Sequence, residues 1–262
     1  MLNIEIKGVE FSNKGAELML VAILQQLDKE LDDYNITLSP RKKLPYLKRA
    51  RLGAWQKLSF RRGNIDLTGI FSKLPNLILN FFKQYGVVTE KDVDIILDAS
   101  GFAYGDQWGE KSLSHTAKEI SRFSKEGKKY IFLPQALGPF HQGRVRELAQ
   151  DVFSKASLVF PRDGSSFQAL SNLKLTSETA HIQKCPDFTC LVEPEPSLVE
   201  LQKLDLIDEK KLFCIIPNSK MVSSYHHDNA EKDKQGYVDF LIHTAKFYQS
   251  LGWAVVILNH EG

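Results

Sequence analysis

Polar and aromatic side chains follow an apolar run that ends at Leu97. Asp98 and Ser100 stand at the break, and Tyr104, Asp106 and Trp108 follow in a loop with three glycines. Carboxylates can take up a proton, and aromatic rings offer flat faces to a ligand. Ligands of open parallel sheets lie outside the carboxyl ends of the strands, so we predict that these five side chains face a ligand. The alternative is a structural turn in which the glycines only satisfy backbone geometry.

The surrounding pattern predicts the elements that position this loop. Short apolar strands are expected at 2–7, 93–97, 130–133, 157–160, and helices at 15–31, 112–126, 143–155 and after 161–166. Strands that alternate with helices of about 10 to 15 residues are typical of a parallel sheet. The sequence therefore predicts an α/β fold, with a doubly wound, Rossmann-like domain over residues 1–195.

The start of the first helix is a second candidate binding site. Its free amide groups make an anion site physically available around Asn13, Lys14 and Gly15, with Glu17 in the first turn. The segment is neither a GxGxxG fingerprint nor a P-loop. The alternative is a capped helix start, with Ser12 or Asn13 as the N-cap.

Composition, net charge and the cysteine pattern are those of an ordinary globular protein. The 262 residues are 43% hydrophobic and 25% charged, which is ordinary for a globular protein, and the net charge of +2 implies no polyanionic partner. The three cysteines form no CxxC pair, which fits a reducing compartment, and we expect no metal site. No secretory signal and no apolar run of about 20 residues is visible, so the expected location is cytoplasmic.

The segment 41–62 is basic throughout and is interleaved with Trp55 and Phe60; an apolar stretch, 74–82, follows it. Such a surface can hold anionic lipid headgroups or an acidic polysaccharide, so contact with the inner face of a membrane through 41–82 is one interpretation. No nucleic-acid motif accompanies it, and no nucleic-acid partner is expected. The alternative is a solvated insertion over about 41–85, since charge runs usually face water.

A second unit follows a linker at 193–196. Strands are expected at 212–217 and 253–258, with a helix at 237–251 between them. Asn218 and Lys220 stand at the tip of the first of these strands, and His260 and Glu261 at the tip of the second. Two strands and one helix cannot bury a doubly wound core, so residues 196–262 are expected to be the opening βαβ part of an incomplete second Rossmann-like domain, or an extension of the first.

Six segments at the expected strand ends form a set, in the order Gly8 with 12–17, 98–102, 133–139, 162–166, 186–187 and 260–261. Together they resemble the polysaccharide pyruvyl transferase family. The resemblance implies a GT-B-like enzyme that moves pyruvate from phosphoenolpyruvate to a sugar of a cell-surface polysaccharide precursor as a ketal. No cofactor is implied, because phosphoenolpyruvate is the donor substrate. The acceptor is expected to be a sugar, commonly lipid-linked.

The resemblance also suggests roles for individual residues. Arg162 is the best cation for the donor, with Lys14 and Lys220 behind it, although Arg162 could equally brace its loop by pairing with Asp163 or Asp187. Asp106, with Asp98 behind it, would orient or deprotonate the acceptor hydroxyl. Further candidates are Ser100, Gln135 and Asn218 as polar contacts, Tyr104 and Trp108 as platforms for the sugar ring, and His260 with Glu261 as donor-side acid and partner.

Two other functions stay open at this point. One is a GT-B glycosyltransferase that uses a nucleotide sugar, and the other is a noncatalytic sugar-binding or assembly subunit. The family normally carries an Arg-x-His-type motif beyond the position of Gly262, and that motif is absent from this sequence. The resemblance therefore leaves open whether this chain is active on its own.

Overall fold

The computed structural model describes residues 1–62, 65–141, 143–175, 181–194, 211–218, 221 and 230–258. The chain divides into two compact units. The first unit comprises Met1–Phe11 and Ala16–Val192, and the second comprises Ser12–Gly15 and Glu193–Gly262.

The first unit is built on a parallel sheet. Within the described residues it has seven strands in the order β6-β3-β2-β1-β7-β8-β9, and every neighbouring pair is parallel. The strands are β1 Leu2–Lys7, β2 Tyr34–Leu38, β3 Trp55–Lys57, β6 Val87–Val88, β7 Ile95–Asp98, β8 Lys129–Gln135 and β9 Leu158–Pro161. A short antiparallel hairpin, β4 Arg61–Arg62 and β5 Ile65–Asp66, follows β3.

Helices connect these strands. They are α1 Lys14–Glu30, α2 Tyr46–Arg51, α3 Thr68–Phe71, α4 Asn76–Gln84, α5 Glu110–Lys125, α6 Gly143–Lys155 and α7 Gly164–Ser171. Short 3-10 helices occupy Glu90–Asp92, Asp106–Trp108 and Phe188–Leu191. On α5, the predicted stripe of Leu113, Thr116, Ile120 and Phe123 is buried, as expected for a helix with one apolar face.

The core lies in two clusters. The larger one combines Ile96 of β7 and Phe132 of β8 with apolar residues of α5 and α6, and the smaller one combines Ile6 of β1 and Leu38 of β2 with Leu20 of α1. Because alternate residues of a strand point to opposite faces, Ile96 and its neighbour Leu97 belong to different clusters. Both faces of the sheet are therefore covered, which confirms the doubly wound α/β prediction.

The segment between β2 and β7 differs from expectation. Strands β2, β3 and β6 were not predicted, and β3 lies inside the basic run, where it joins the sheet rather than standing apart from it. Lys57 and Arg49 of that run are buried, while Arg41, Lys42 and Lys48 are exposed. The expectation that the basic run faces water is thus wrong for Lys57 and Arg49, because charged partners far along the chain accompany Lys57 into the interior.

The second unit contains a parallel strand pair joined by a long helix. Strand β10 Leu212–Ile215 pairs with β11 Ala254–Ile257, and α8 Ala230–Ser250 runs between them. This is the expected βαβ connection, with a helix that starts seven residues earlier than predicted. Across the described ranges of the chain, the helices are too short or too polar to cross a bilayer.

Candidate functional site

The carboxyl ends of β1 and β7 are packed tightly against each other. Gly8 follows β1 with a φ of 81°, in the left-handed region that favours glycine. A Cβ atom at this position would lie 2.3 Å from the Cα atom of Ser100, which follows β7. The close approach therefore requires glycine, and it sets the floor of the pocket above these two strand ends.

That pocket has a volume of about 590 Å³ and combines cations with aromatic rings. Lys7, Arg41, Arg61 and Lys111 line it, together with Phe102 and Trp108, and none of the described residues in its lining is acidic. Trp108 is 52% exposed, and the Phe102 ring meets it edge-on at 5.7 Å between centroids. The pocket can therefore offer an aromatic platform and positive charge to one ligand.

Beneath the pocket, a fully buried carboxylate organises the hydroxyl groups that line it. Asp98 accepts hydrogen bonds from the hydroxyls of Tyr104 at 2.7 Å, Tyr130 at 2.9 Å and Ser100 at 2.5 Å. The Tyr130 hydroxyl in turn accepts a hydrogen bond from Lys7 Nζ at 2.9 Å. Burial, and then the charge of Asp98, raise the pKa of both tyrosines well above its usual value, so both remain donors.

A buried charge layer lies between the sheet and α5. We use this name for Glu5 and Lys7 of β1, Lys57 of β3, Arg61 of β4 and Glu119 of α5. Lys57 Nζ lies 2.5 Å from a Glu5 oxygen and 2.9 Å from a Glu119 oxygen. Glu119 also binds Arg61 at 2.8 Å and the ammonium group of Lys7. Since Lys7 and Arg61 also line the pocket, the layer fixes two cations at the edge of the site.

The electrostatics of this layer keep Glu119 and Lys57 charged. Burial by itself raises the pKa of Glu119, but Lys57, Lys7 and Arg61 hold that pKa well below its usual range. Burial by itself lowers the pKa of Lys57, but the carboxylates around it, Glu119 foremost, raise that pKa above its usual value. A buried charge that has several opposite charges within hydrogen-bonding distance stays ionised.

The five residues predicted to face a ligand from the loop after β7 have different positions. Ser100, Tyr104 and Trp108 line the pocket, whereas Asp98 lies behind two of them. Asp106 begins its 3-10 helix, and its carboxylate accepts a hydrogen bond from the backbone N–H of His141 at 2.8 Å. Its catalytic role remains a prediction.

Two other predicted site residues support neighbouring structure. Gln135 is buried, and its Nε2 donates to the backbone carbonyl of Asp98 at 3.1 Å. Arg162 Nη1 lies 3.2 Å from Asp187 Oδ2, the pairing given above as the bracing alternative. Whether either residue binds substrate remains a prediction.

The remaining predicted residues lie at the start of α1 and in the second unit. Asn13 directly precedes α1, Lys14 begins it, and Gly15 and Glu17 lie in its first turn. Asn218 follows β10, and its backbone N–H donates to the Tyr237 hydroxyl at 3.0 Å. The predictions for Lys220, His260 and Glu261 fall outside the described residues.

Sequence reasoning missed several pocket residues. Lys7 ends a strand, and the sequence pattern gives it no role. Lys111 and His115 were not predicted either, although they lie four residues apart and both line the pocket. That spacing places two side chains on one side of a helix, so it could have indicated them. Arg41 and Arg61 were noticed only as members of a basic surface.

Comparison with known proteins now places this architecture. A sequence model of the family described as "Polysaccharide pyruvyl transferase" matches residues 13–262. The chain belongs to this family. The sequence-based recognition of the polysaccharide pyruvyl transferase family is thereby confirmed. No curated protein sequence matches the chain.

Two solved structures are similar to this chain at low sequence identity. A putative UDP-N-acetylglucosamine 2-epimerase from Listeria monocytogenes is 14% identical over 85% of this chain and 55% of its own, with a TM-score of 0.42. Anabaena Alr3699/HepE, solved in complex with UDP, is 12% identical over 99% of this chain and 69% of its own, with a TM-score of 0.46. The chain thus spans little more than half the length of the epimerase.

Proposed function

We propose that this protein transfers pyruvate from phosphoenolpyruvate to a sugar of a cell-surface polysaccharide precursor, forming a ketal. We further propose that the pocket above β1 and β7 binds the acceptor sugar. Membership of the polysaccharide pyruvyl transferase family supports the reaction class. The observation that carries the site is one pocket that joins an exposed indole ring to several cations, with no acidic residue among its described lining.

The proposed reaction forms two bonds between sugar oxygens and the central carbon of the donor. The bond from that carbon to the phosphate oxygen breaks, and inorganic phosphate leaves. Of the two protons lost by the sugar hydroxyls, one is balanced by protonation of the donor methylene carbon and the other by the phosphate. The reaction therefore needs a base for the hydroxyls, an acid for the methylene carbon and cations for the donor.

The acceptor sugar would lie on Trp108. Its ring is exposed to the pocket, and the edge-on Phe102 supports it from one side, so the apolar face of a pyranose can pack against it. Arg41 and Lys111 are exposed, and neither side chain makes an ion pair with another described residue. We assign them to the diphosphate of a lipid-linked acceptor, because charge-assisted contacts to phosphate are strong.

His115 is the candidate base of the pocket in place of Asp106, which is not among the described residues that line it. It lines the pocket one turn after Lys111, and histidine is the side chain that most often exchanges protons near neutral pH. It would take the proton of the attacking hydroxyl while Ser100 and Tyr104, oriented by Asp98, form hydrogen bonds to the sugar.

The test incubates the protein with phosphoenolpyruvate and a panel of free sugars, sugar diphosphates and polyprenyl-diphosphate sugars. The expected result is phosphate release that depends on one acceptor, with a pyruvate ketal on the recovered sugar by mass spectrometry. Trp108→Ala should lower turnover at low acceptor concentration at least tenfold, roughly the loss of one stacking contact. Tyr46→Ala, which removes an exposed ring outside the pocket, is the matched control.

Two outcomes would replace this proposal. Consumption of a nucleotide sugar without phosphate release from phosphoenolpyruvate would indicate a glycosyltransferase. Saturable sugar binding without any turnover across the panel would indicate a noncatalytic binding subunit.

A further inference from the structure

Helix α4 and its C-cap residue, Tyr85, present a row of largely apolar side chains to solvent. Leu77, Phe81 and Tyr85 follow one another at intervals of four residues and are 84%, 56% and 68% exposed. The rings of Phe81 and Tyr85 pack together, with 5.1 Å between centroids, so the row is continuous. A contiguous apolar row of this kind on a domain surface indicates a site of interaction.

The helix is anchored on its other side, so this orientation is fixed. Leu79 is buried and Phe82 is half-buried, while Lys83 Nζ lies 2.5 Å from Asp92 Oδ1. The apolar row therefore faces outward although the helix is docked on the rest of its unit.

A cavity of about 470 Å³ beside α3 adds positive charge. Lys73, Lys91 and Lys125 line it and are exposed, and none of the three ammonium groups makes an ion pair within the described part of the chain. Arg122 also lines the cavity, but Glu90 occupies its guanidinium through two contacts of 2.7 Å. One carboxylate, Glu126, lines the cavity as well, and it is paired with Lys128 at 3.0 Å. Three uncompensated ammonium groups around one cavity favour a phosphate-bearing ligand.

The lysine cavity is lined by residues that adjoin the helix carrying the apolar row. Lys73 stands three residues before α4 begins, and the 3-10 helix Glu90–Asp92 contributes Lys91 to the cavity and Asp92 to the ion pair with α4. We call the apolar row and the three lysines together the α4 surface.

We propose that the α4 surface binds an anionic phospholipid membrane. The apolar row would enter the boundary between headgroups and acyl chains, and the lysine cavity would hold lipid phosphates. Apolar side chains alone would also suit a second copy of this chain, but the adjacent uncompensated lysines favour a negatively charged surface. Only the expected benefit, which is access to a lipid-linked acceptor, rests on the proposed function.

The experiment measures co-sedimentation of the full chain with vesicles, without donor or acceptor. We expect binding to vesicles of phosphatidylcholine with phosphatidylglycerol, and much weaker binding to phosphatidylcholine alone. Replacing Lys73, Lys91 and Lys125 by Gln should weaken binding about fivefold for each charge removed at moderate salt. Replacing Leu77, Phe81 and Tyr85 by Gln should abolish binding.

Matched control residues come from other elements of the chain. Phe240, Ile242 and Phe247 are exposed apolar residues of α8, and Lys184, Lys234 and Lys246 are exposed lysines elsewhere in the chain. Changing each control set to Gln should leave vesicle binding unchanged. Thermal unfolding of every variant confirms that it folds.

Three results would overturn the proposal. The first is wild-type protein that binds neither kind of vesicle, and the second is α4-surface variants that bind as the wild type does. The third is a wild-type dimer that becomes monomeric in the apolar variant during ultracentrifugation, which would assign α4 to a contact between copies. None of these results involves turnover, so all are separate from failure of the proposed function.

Discussion

Around β1, the two faces of the central sheet are built differently. On the face covered by α1, Ile6, Ile36 and Leu38 pack against Leu20 and Ile23 as an apolar core. On the face covered by α5, β1 contributes Glu5 and Lys7 to the buried charge layer, which lies beside the larger apolar core formed by β7, β8, α5 and α6.

The difference indicates that the apolar packing stabilises the fold, whereas the charge layer mainly positions side chains. Apolar burial stabilises the α1 face directly, whereas buried ion pairs contribute little net stability because desolvation offsets their attraction. The charge layer is better explained by what it positions. Lys7 and Arg61 both bind Glu119 and both reach the pocket, so the layer holds cations where a charged ligand would meet them.

The largest expected effect comes from breaking the charge layer at its centre. Lys57→Met removes the cation that joins Glu5 to Glu119, and a buried charge left without its partner typically costs about 3–5 kcal/mol. Urea unfolding at neutral pH measures this loss. Lys42→Met, an exposed lysine of the same segment, should change stability by less than about 0.5 kcal/mol. A loss below about 1 kcal/mol for Lys57→Met would mean that water reaches the layer.

A substitution in the apolar core under α1 should lower the free energy of unfolding somewhat less. Leu20→Ala creates a cavity where a fully buried leucine packs between α1 and the sheet, at an expected cost of about 3 kcal/mol. Leu18→Ala on the same helix, at an exposed position, is the control. Unlike the effect at Lys57, the cost at Leu20 should be the same at pH 5 and pH 8, since no titrating group is involved.

Lowering the pH should reduce the free energy of unfolding by a smaller amount, through the charge layer. The pKa of Glu119 is held well below its unfolded value of about 4.3, so its contribution to stability is present above that pH and is lost as pH falls toward the folded-state pKa. Denaturant unfolding from pH 6 downward should show stability decreasing by at most about 1.4 kcal/mol per pH unit for this proton. Glu119→Gln should flatten that dependence, while Leu20→Ala keeps the wild-type slope; equal slopes in all three proteins would contradict the assignment.

Much of the fold could be predicted because its signals are local. Helix α6 matches its predicted bounds, and β1 does too, since apolar periodicity over several turns or one strand is readable from sequence. Strands β3 and β6 have three and two residues and carry no such period. Helix α5 begins two residues before its expected start because the loop ends at Gly109, whose φ of 65° precedes the helix.

The site could be predicted only in part for the same reason. The sequence of the loop after β7 predicts that Ser100, Tyr104 and Trp108 face a ligand, because strand-end loops of parallel sheets line ligand sites. All three residues line the pocket. Burial of Lys57 depends on Glu119, which lies 62 residues away in sequence, and no local pattern reveals that pairing. The sequence pattern therefore predicts that the basic run faces water, although Lys57 is buried and Arg41 and Arg61 line the pocket.

The most direct test of the acceptor site is saturation-transfer NMR with methyl glycosides of hexoses and N-acetylhexosamines. The account predicts transfer to the ring protons of at least one glycoside in the wild-type protein, loss of that transfer in Trp108→Ala, and retention in Tyr46→Ala. Transfer that survives in Trp108→Ala, or that is absent from the wild-type protein for every glycoside, would contradict the claim that this pocket binds the acceptor sugar.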